Sequence, residues 1–558
     1  MAGGLMFQNT TDKKKLQAIW IGVLLLITGM ASFCYWGNKK QIWFCDEIYT
    51  YESANGFEQD WPHSHTGEWM TGSDVEAYFA ADSEHLSLNS ITVRLYSDHV
   101  PLYFWIFRIV SFLFFKGNGS IWIGLSINLI FYLLFLEIGY LFFYWVTKRP
   151  LLSATGMFLT CVVNRLAIEQ ATVLRMYMML LLAQFSLLLI SLWILRESRS
   201  NRLSVKAFLC LYAISVTGFL THYDFWIFYA ITATLFCLRL LYMAIISKQG
   251  RKMWKSQEFK YILSWVVTFG LSLCTTIAIF PYCRWNLNRN KGQTALQSIF
   301  VFSSEKIKNI IWGFRRLAAS IFGEQFNPVI ALLIIFGCII GGMVILYKRE
   351  EKERLIGMFL TVLTAQLYQL AVCFTLPAEQ EERYLWGSFT FMILCSFWGG
   401  VLILQTLFSQ FKNIKIRKII CPVVSTILII GIILGELHVI DGGNGVTYLF
   451  HPEKDVALLQ NYSTAPWIVY GPTVGVYSYY DWIIPENICF LTLDQTSEDA
   501  KAASALQNEN AFILYIYADY LPEALLFLEQ QTGKNLTAQH LTKSTNLTVY
   551  LIESKSLN

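Results

Sequence analysis

The chain has 558 residues, of which 55% are hydrophobic, 16% aromatic and only 15% charged, against about 25% charged in soluble domains. A mean hydropathy of +0.45 excludes an ordinary soluble domain, and a net charge of +4 gives no basis for nucleic-acid binding. The twelve cysteines lie mostly inside apolar runs, without metal-type or disulfide-type spacing, and read as packing residues.

A membrane-crossing helix needs about 20 apolar residues. In chain order the candidate spans are roughly 16–36, 120–146, 151–166, 174–195, 206–221, 223–247, 260–282, 328–347, 355–376, 386–408 and 419–438. The first follows Lys13, Lys14 and Lys15, is too long for a signal peptide and lacks its small-residue cleavage site, so it reads as an anchor. Basic clusters follow at Lys148 and Arg149, Arg196 to Lys206, Lys248 to Lys255, Lys348 to Arg354 and Lys412 to Lys418. Eleven crossings place every cluster on one side, which predicts a cytosolic N-terminus and the plasma membrane as location. Segment 101–115 (PLYFWIFRIVSFLFF) is apolar but short, and counting it would move most later clusters outside. It is expected to lie in the outer interface, with Arg108 reaching headgroups.

Four outer segments result: 37–100, Asn164–Arg175, about 283–327, and Thr375–Leu385. From about 440 the chain has ordinary polarity. It alternates strand-like runs (Trp467–Tyr470, Ile488–Leu493, Ala511–Tyr517, Leu547–Ile552) with helical stretches at Ser497–Gln507 and Leu521–Gln531. The expected organisation is therefore an α-helical polytopic domain over 1–438 and a small extracytoplasmic α/β domain over 439–558.

Charged residues beside apolar spans need a reason. The first outer loop opens on Cys45-Asp46-Glu47-Ile48-Tyr49. The two acids suit a helix start, where the dipole favours negative charge, or a general base and metal ligand at a cavity mouth. Glu58-Gln59-Asp60-Trp61-Pro62-His63-Ser64-His65 offers only two locally spaced histidines, short of the three or four ligands zinc needs. The loop closes on Ser97-Asp98-His99-Val100-Pro101-Leu102-Tyr103. In the second loop, Glu169 and Arg175 either pair with each other or face a cavity, with Tyr177 just beyond. Thr221-His222-Tyr223-Asp224 is either a simple turn or part of a site, and Arg383-Tyr384-Leu385 precedes the tenth span. An arginine there suits phosphate, because its planar fork binds two oxygens at once.

The order Asp46-Glu47-x-Tyr49, His99-x-Pro101-Leu102-Tyr103, Glu169…Arg175-Met176-Tyr177, Thr221-His222-Tyr223 and Arg383-Tyr384-Leu385 resembles the GT-C fold glycosyltransferases, the protein mannosyltransferase and aminoarabinose transferase group. The likeness covers about residues 15 to 410 and differs from the usual His-Pro-Pro at His99-Val100-Pro101. It implies a polyprenyl- or dolichyl-phosphate sugar as donor, inversion at the anomeric carbon and an extracytoplasmic acceptor. Asp46 would then be the base, with Glu47 orienting it or holding a divalent metal. His99, Tyr103, Glu169, Arg175, Tyr177, His222, Tyr223, Arg383 and Tyr384 would bind substrate. No cofactor beyond that metal is implied. The competing class is a transporter or flippase of a lipid-linked saccharide, but no internal repeat of the kind transporters show is visible.

Overall fold

The structure, a computed structural model, describes residues 12–40, 45–57, 60–81, 87–95, 99–198, 203–246, 253–284, 301, 303–375, 382–410, 414–441, 458–471, 485–544 and 547–554. Glu58, Gln59, Ser97, Asp98, the side chain of His63 and most of 283–302 lie outside the described residues.

The chain is a multi-pass helical membrane protein carrying a small sheet domain. In order, its helices are α1 Asp12–Asn38, α2 Cys45–Asn55, α3 Gly72–Ala77, α4 Leu88–Arg94, α5 Leu102–Phe114, α6 Trp122–Thr147 and α7 Pro150–Met157. Then come α8 Arg165–Thr172, α9 Tyr177–Glu197, α10 Val205–Phe219, α11 Asp224–Ile246, α12 Gln257–Ile279, α13 Ser304–Phe322, α14 Pro328–Lys348, α15 Lys352–Thr375, α16 Trp386–Ser409 and α17 Ile414–Asp441. Among the described residues nine helices are long and apolar enough to cross a membrane. Two of the eleven expected spans take another form. Residues 150–172 form a bent pair, in which α7 loosens into a π turn over Phe158–Val162 before α8 leaves at 65°. Helix α10 has 15 residues, closed at its start by Ser204, whose hydroxyl accepts from the Ala207 amide. Helix α5 forms as expected and stays short at 13 residues, but Arg108 does not reach headgroups: it is buried and donates to Ser87 O at 2.9 Å, Ser90 Oγ at 2.8 Å and Gly56 O at 3.1 Å.

The ends of the bundle differ. Arg196 lies over the Trp145 ring at 5.8 Å, so the basic ends of α6 and α9 meet. At the opposite end the Asn128 amide donates to Val173 O at 2.5 Å, joining α6 to the loop before α9. Helices α14 and α16 touch backbone to backbone, since a methyl added at Gly399 would overlap Cys338 O. Small residues allow that approach in lipid, where packing drives helix association.

The sheet strands are β1 Trp69–Thr71, β2 Trp467–Tyr470, β3 Asn487–Leu491, β4 Ala511–Ile516, β5 Leu536–Ser544 and β6 Leu547–Ser554, in the order β1-β3-β2-β4-β6-β5. Strands β2, β3 and β4 are parallel and the others pair antiparallel. One face is covered by α18 Ser497–Ser504 and α19 Leu521–Thr532, around Ile468, Leu491, Leu514 and Phe527. The other carries Trp467, Phe490, Ile513 and Val549 into the same apolar core as Met70, Val75 and Tyr78 of the first outer loop. The sheet is thus composite. Its edge strand β1 belongs to the loop expected to be part of the membrane domain, and pairs Trp69 with Cys489 and Met70 with Ile488. The reason is local: Gly67, at φ +75°, donates to Phe490 O at 2.8 Å and turns the loop into register.

Candidate active site

Asp46 stands in the first turn of α2, its neighbours Ile48 and Tyr51 buried in the core. Arg383 Nη2 is 2.5 Å from Asp46 Oδ2, and Arg175 Nη2 is 3.9 Å from the same oxygen. Arg175 Nη1 also donates to Asp46 O at 2.9 Å and to Thr50 Oγ1 at 3.0 Å. Residues 46, 175 and 383 thus converge at one point, with both guanidinium groups nearly out of solvent.

Each arginine is aimed by its surroundings. Arg175 sits in the break between α8 and α9. That break is held by the Asn128 amide on Val173 O, and by the Leu174 N–H donating to Glu47 Oε1 at 2.6 Å. Tyr103, fully buried, donates to Asn128 Oδ1 at 3.1 Å. Arg383 lies on a single 3₁₀ turn, Glu382–Leu385, whose Tyr384 carbonyl accepts from Tyr368 OH at 2.9 Å. Its guanidinium packs 5.9 Å from the Tyr177 ring centre and 5.6 Å from that of Tyr384. Tyr177, His222 and Tyr384 form a ring cluster, with centroids 5.8 to 6.2 Å apart.

Glu47 does not turn toward Asp46. Successive helix residues point about 100° apart, and Glu47 forms a fully buried pair with Lys40 at 2.9 Å. Lys40 carried no signal in the sequence beyond being a basic residue after the first span. The residues do not suit a divalent cation. Asp46 is held by two guanidiniums and Glu47 by an ammonium, and no group of three His, Cys, Asp or Glu side chains converges among the described residues.

His99 accepts from Arg175 Nη2 at 3.3 Å and stacks on Phe104. His222 Nδ1 accepts the Asp224 amide at 3.1 Å. Burial, with repulsion from Arg175 and Arg383, holds the His222 imidazolium down to about 3, so the ring is neutral. Tyr223 turns instead to the apolar cluster of Val100, Leu220 and Phe280.

Glu169 is not brought to Arg175. It lines a separate small cleft with Arg165, Arg316, Glu324 and Glu382. There Arg316 pairs with Glu382 and, at 2.6 Å, with Glu324. The direction of a side chain on a two-turn helix is not readable without α8's tilt. The His65 motif also resolves into a local network. Its Nε2 meets Asp60 at 3.0 Å, Nδ1 meets Glu68 at 3.2 Å, and Tyr78 OH donates to Asp60 at 2.7 Å.

No family model matches the chain, and no curated protein matches it in sequence. Among solved structures it is similar to ArnT from Cupriavidus metallidurans bound to undecaprenyl phosphate. Identity there is 11% and the TM-score 0.44, with 96% of this chain and 97% of that chain covered. The apo state of that protein gives 12% identity and a TM-score of 0.48 over 90% and 96% of the two chains. AglB, an archaeal oligosaccharyltransferase from Archaeoglobus fulgidus in complex with an inhibitory peptide and a dolichol-phosphate, gives 12% and 0.48, covering 97% of this chain and 74% of that one. These are likenesses of overall shape; the chemistry rests on this chain's own side chains.

Proposed function

We propose that this chain is an inverting glycosyltransferase. It moves a sugar from a polyprenyl-phosphate donor to an acceptor at the extracytoplasmic membrane face. The observation that carries the reading is one carboxylate, Asp46, meeting two guanidiniums, Arg383 at 2.5 Å and Arg175 at 3.9 Å, at the end of the bundle opposite the basic helix ends. The acceptor hydroxyl gives its proton to Asp46 as its oxygen attacks the anomeric carbon. The bond from that carbon to the phosphate oxygen breaks, and its electron pair leaves on the phosphate. Arg383 and Arg175 neutralise that charge with preorganised donors. In the resting site both arginines lie on Asp46. An arriving phosphate takes them over and releases the carboxylate to act as base. The neutral ring of His222, with Nδ1 occupied as acceptor, leaves Nε2–H as a donor. Glu47, Asn128 and Tyr103 position Arg175 and touch no substrate.

The test is the purified protein in liposomes given a polyprenyl-phosphate sugar labelled in the sugar, with an envelope-glycan extract as acceptor. The expected result is free polyprenyl phosphate together with labelled acceptor, both lost in Asp46→Asn. Donor carried across the bilayer uncleaved would place the protein among transporters and overturn the reading.

A further inference from the structure

Toward the basic end of the bundle a second cavity opens between α6, α9, α11, α15 and α16. Its walls are apolar and largely aromatic, with Phe142, Trp145, Phe185, Phe391 and Trp398 among them. Its charged lining is three arginines, Arg196, Arg239 and Arg354, against one acid, Glu353. Arg239 is the informative one. It lies seven residues before the end of α11 at Ile246, about 10 Å inside the helix end at 1.5 Å per residue. A guanidinium at that depth is costly unless an anion meets it. Its contact is the Tyr242 ring at 5.1 Å, and among the described residues no carboxylate pairs with it. Arg354 is already paired with Glu351 at 2.5 Å, and Arg196 stands over Trp145.

We infer that this cavity holds an anionic phospholipid from the leaflet at the basic end of the bundle. The headgroup phosphate would be read by Arg239 and Arg196, and an acyl chain would fill the aromatic cavity below them. Two observations select that occupant. The lining carries a surplus of positive charge at a membrane face where anionic headgroups collect. The apolar depth continues inward from the arginines, as in a molecule with a charged head and a hydrocarbon tail. A free phosphate would leave the aromatic walls unfilled. The cavity's arginines stand toward the basic ends of α9 and α11, and its aromatic depth runs inward to Phe185 and Phe391, but its lining shares no residue with the Asp46 centre. Occupancy would tie α11 and α15 to the α6–α9–α16 core, and a bundle purified without the lipid would be less stable.

Native mass spectrometry of the purified protein, titrated with phosphatidylglycerol or phosphatidylcholine, tests this without any catalytic readout. The inference expects phosphatidylglycerol to be retained in preference. Arg239→Gln should weaken it by roughly fivefold, the effect of one basic residue at an anionic surface. Gly357→Phe fills the cavity without changing charge. Gly357 lines it, with Leu192 Cδ2 at 3.5 Å from where a Cβ would stand. That variant should abolish retention of both lipids and leave donor cleavage intact. Equal retention of the two lipids by the wild type, or unchanged retention in both variants, overturns the inference. Displacement of phosphatidylglycerol by polyprenyl phosphate would also overturn it, assigning the cavity to the donor's tail.

Discussion

Asp46 is both the proposed base and the anion that holds the arginines before substrate arrives. These roles separate in one substitution. Asp46→Asn removes the charge that competes with phosphate for Arg383 and Arg175, so donor binding should hold or tighten. Turnover should fall by about 10²–10⁴-fold, the usual loss with a positioned base. Equilibrium donor binding and single-turnover rates check the two halves, and a parallel loss of both would assign Asp46 to binding. Arg383→Lys keeps the charge but loses the fork, so it should weaken donor binding and slow transfer together. Glu47→Gln acts differently. It leaves the Lys40 ammonium buried with its charge uncompensated, and removing one partner of such a pair costs about 3–5 kcal/mol. The signature is a lower melting temperature together with reduced activity. Lys40→Met combined with Glu47→Leu should recover stability without recovering activity, because the Leu174 amide still lacks its acceptor. Asp46, Arg175, Arg383 and His222 were legible as a set because each is a polar residue at an expensive place beside an apolar run. Glu47 and Glu169 were misdirected because a sequence shows that a carboxylate is near the membrane but not which way its helix turns it.

At the scale of elements, the decisive feature is a short strand. Trp69–Thr71 is three residues long, too short to show period-two alternation, and its loop looked like a polar linker. Four strands of the tail were visible as apolar runs, such as Trp467–Tyr470 and Ala511–Ile516, whereas the edge strand Leu536–Ser544, largely polar, was not. Gly67 sets the docking of β1. A Cβ there would stand 2.6 Å from Glu498 Cβ, on a backbone already at φ +75°. Gly67→Ala should therefore release the first loop from the sheet. Hydrogen exchange at Gly67, Trp69 and Cys489 would rise, while protection of β4 and β6 stays unchanged. Nearby, the hydrogen bond that the His65 ring donates to the Asp60 carboxylate raises the His65 value above its ordinary 6.5. The charged pair is fully formed below about 6.5 and is lost as pH rises through the raised value in the folded chain. The group is partly exposed, so the effect is modest, about 0–1 kcal/mol. Exchange in residues 60–78 should increase above neutral pH, and His65→Gln should flatten that dependence.

For the whole molecule, nine of the eleven expected spans are, among the described residues, helices long and apolar enough to cross a membrane, read from hydropathy, a signal that does not depend on three-dimensional detail. The bend in 150–172 was not legible there, because a π turn is a packing outcome. The arrangement predicts that single cysteines at Lys148 and at Glu523 label from opposite sides of the membrane. Labelling of both from one side would reverse the placement of the sheet domain. The composite sheet also changes what truncation at Asp441 would do. It removes β2 to β6 and leaves Met70 and Tyr78 of the first loop without the face they pack on, so disturbance of the loop bearing Asp46 is the expected outcome.

That same sheet has a consequence in time. Trp69 donates to Ala502 O across 433 positions of sequence. At roughly 5–20 residues per second, a ribosome needs roughly 20 to 90 s to deliver the second partner after the first has emerged. Throughout that interval the edge strand in the loop following the first span is unpaired. A nascent chain of this protein is therefore a client for a chaperone on the side of the bilayer where that loop stands, and its composite sheet is finished among the last events of synthesis.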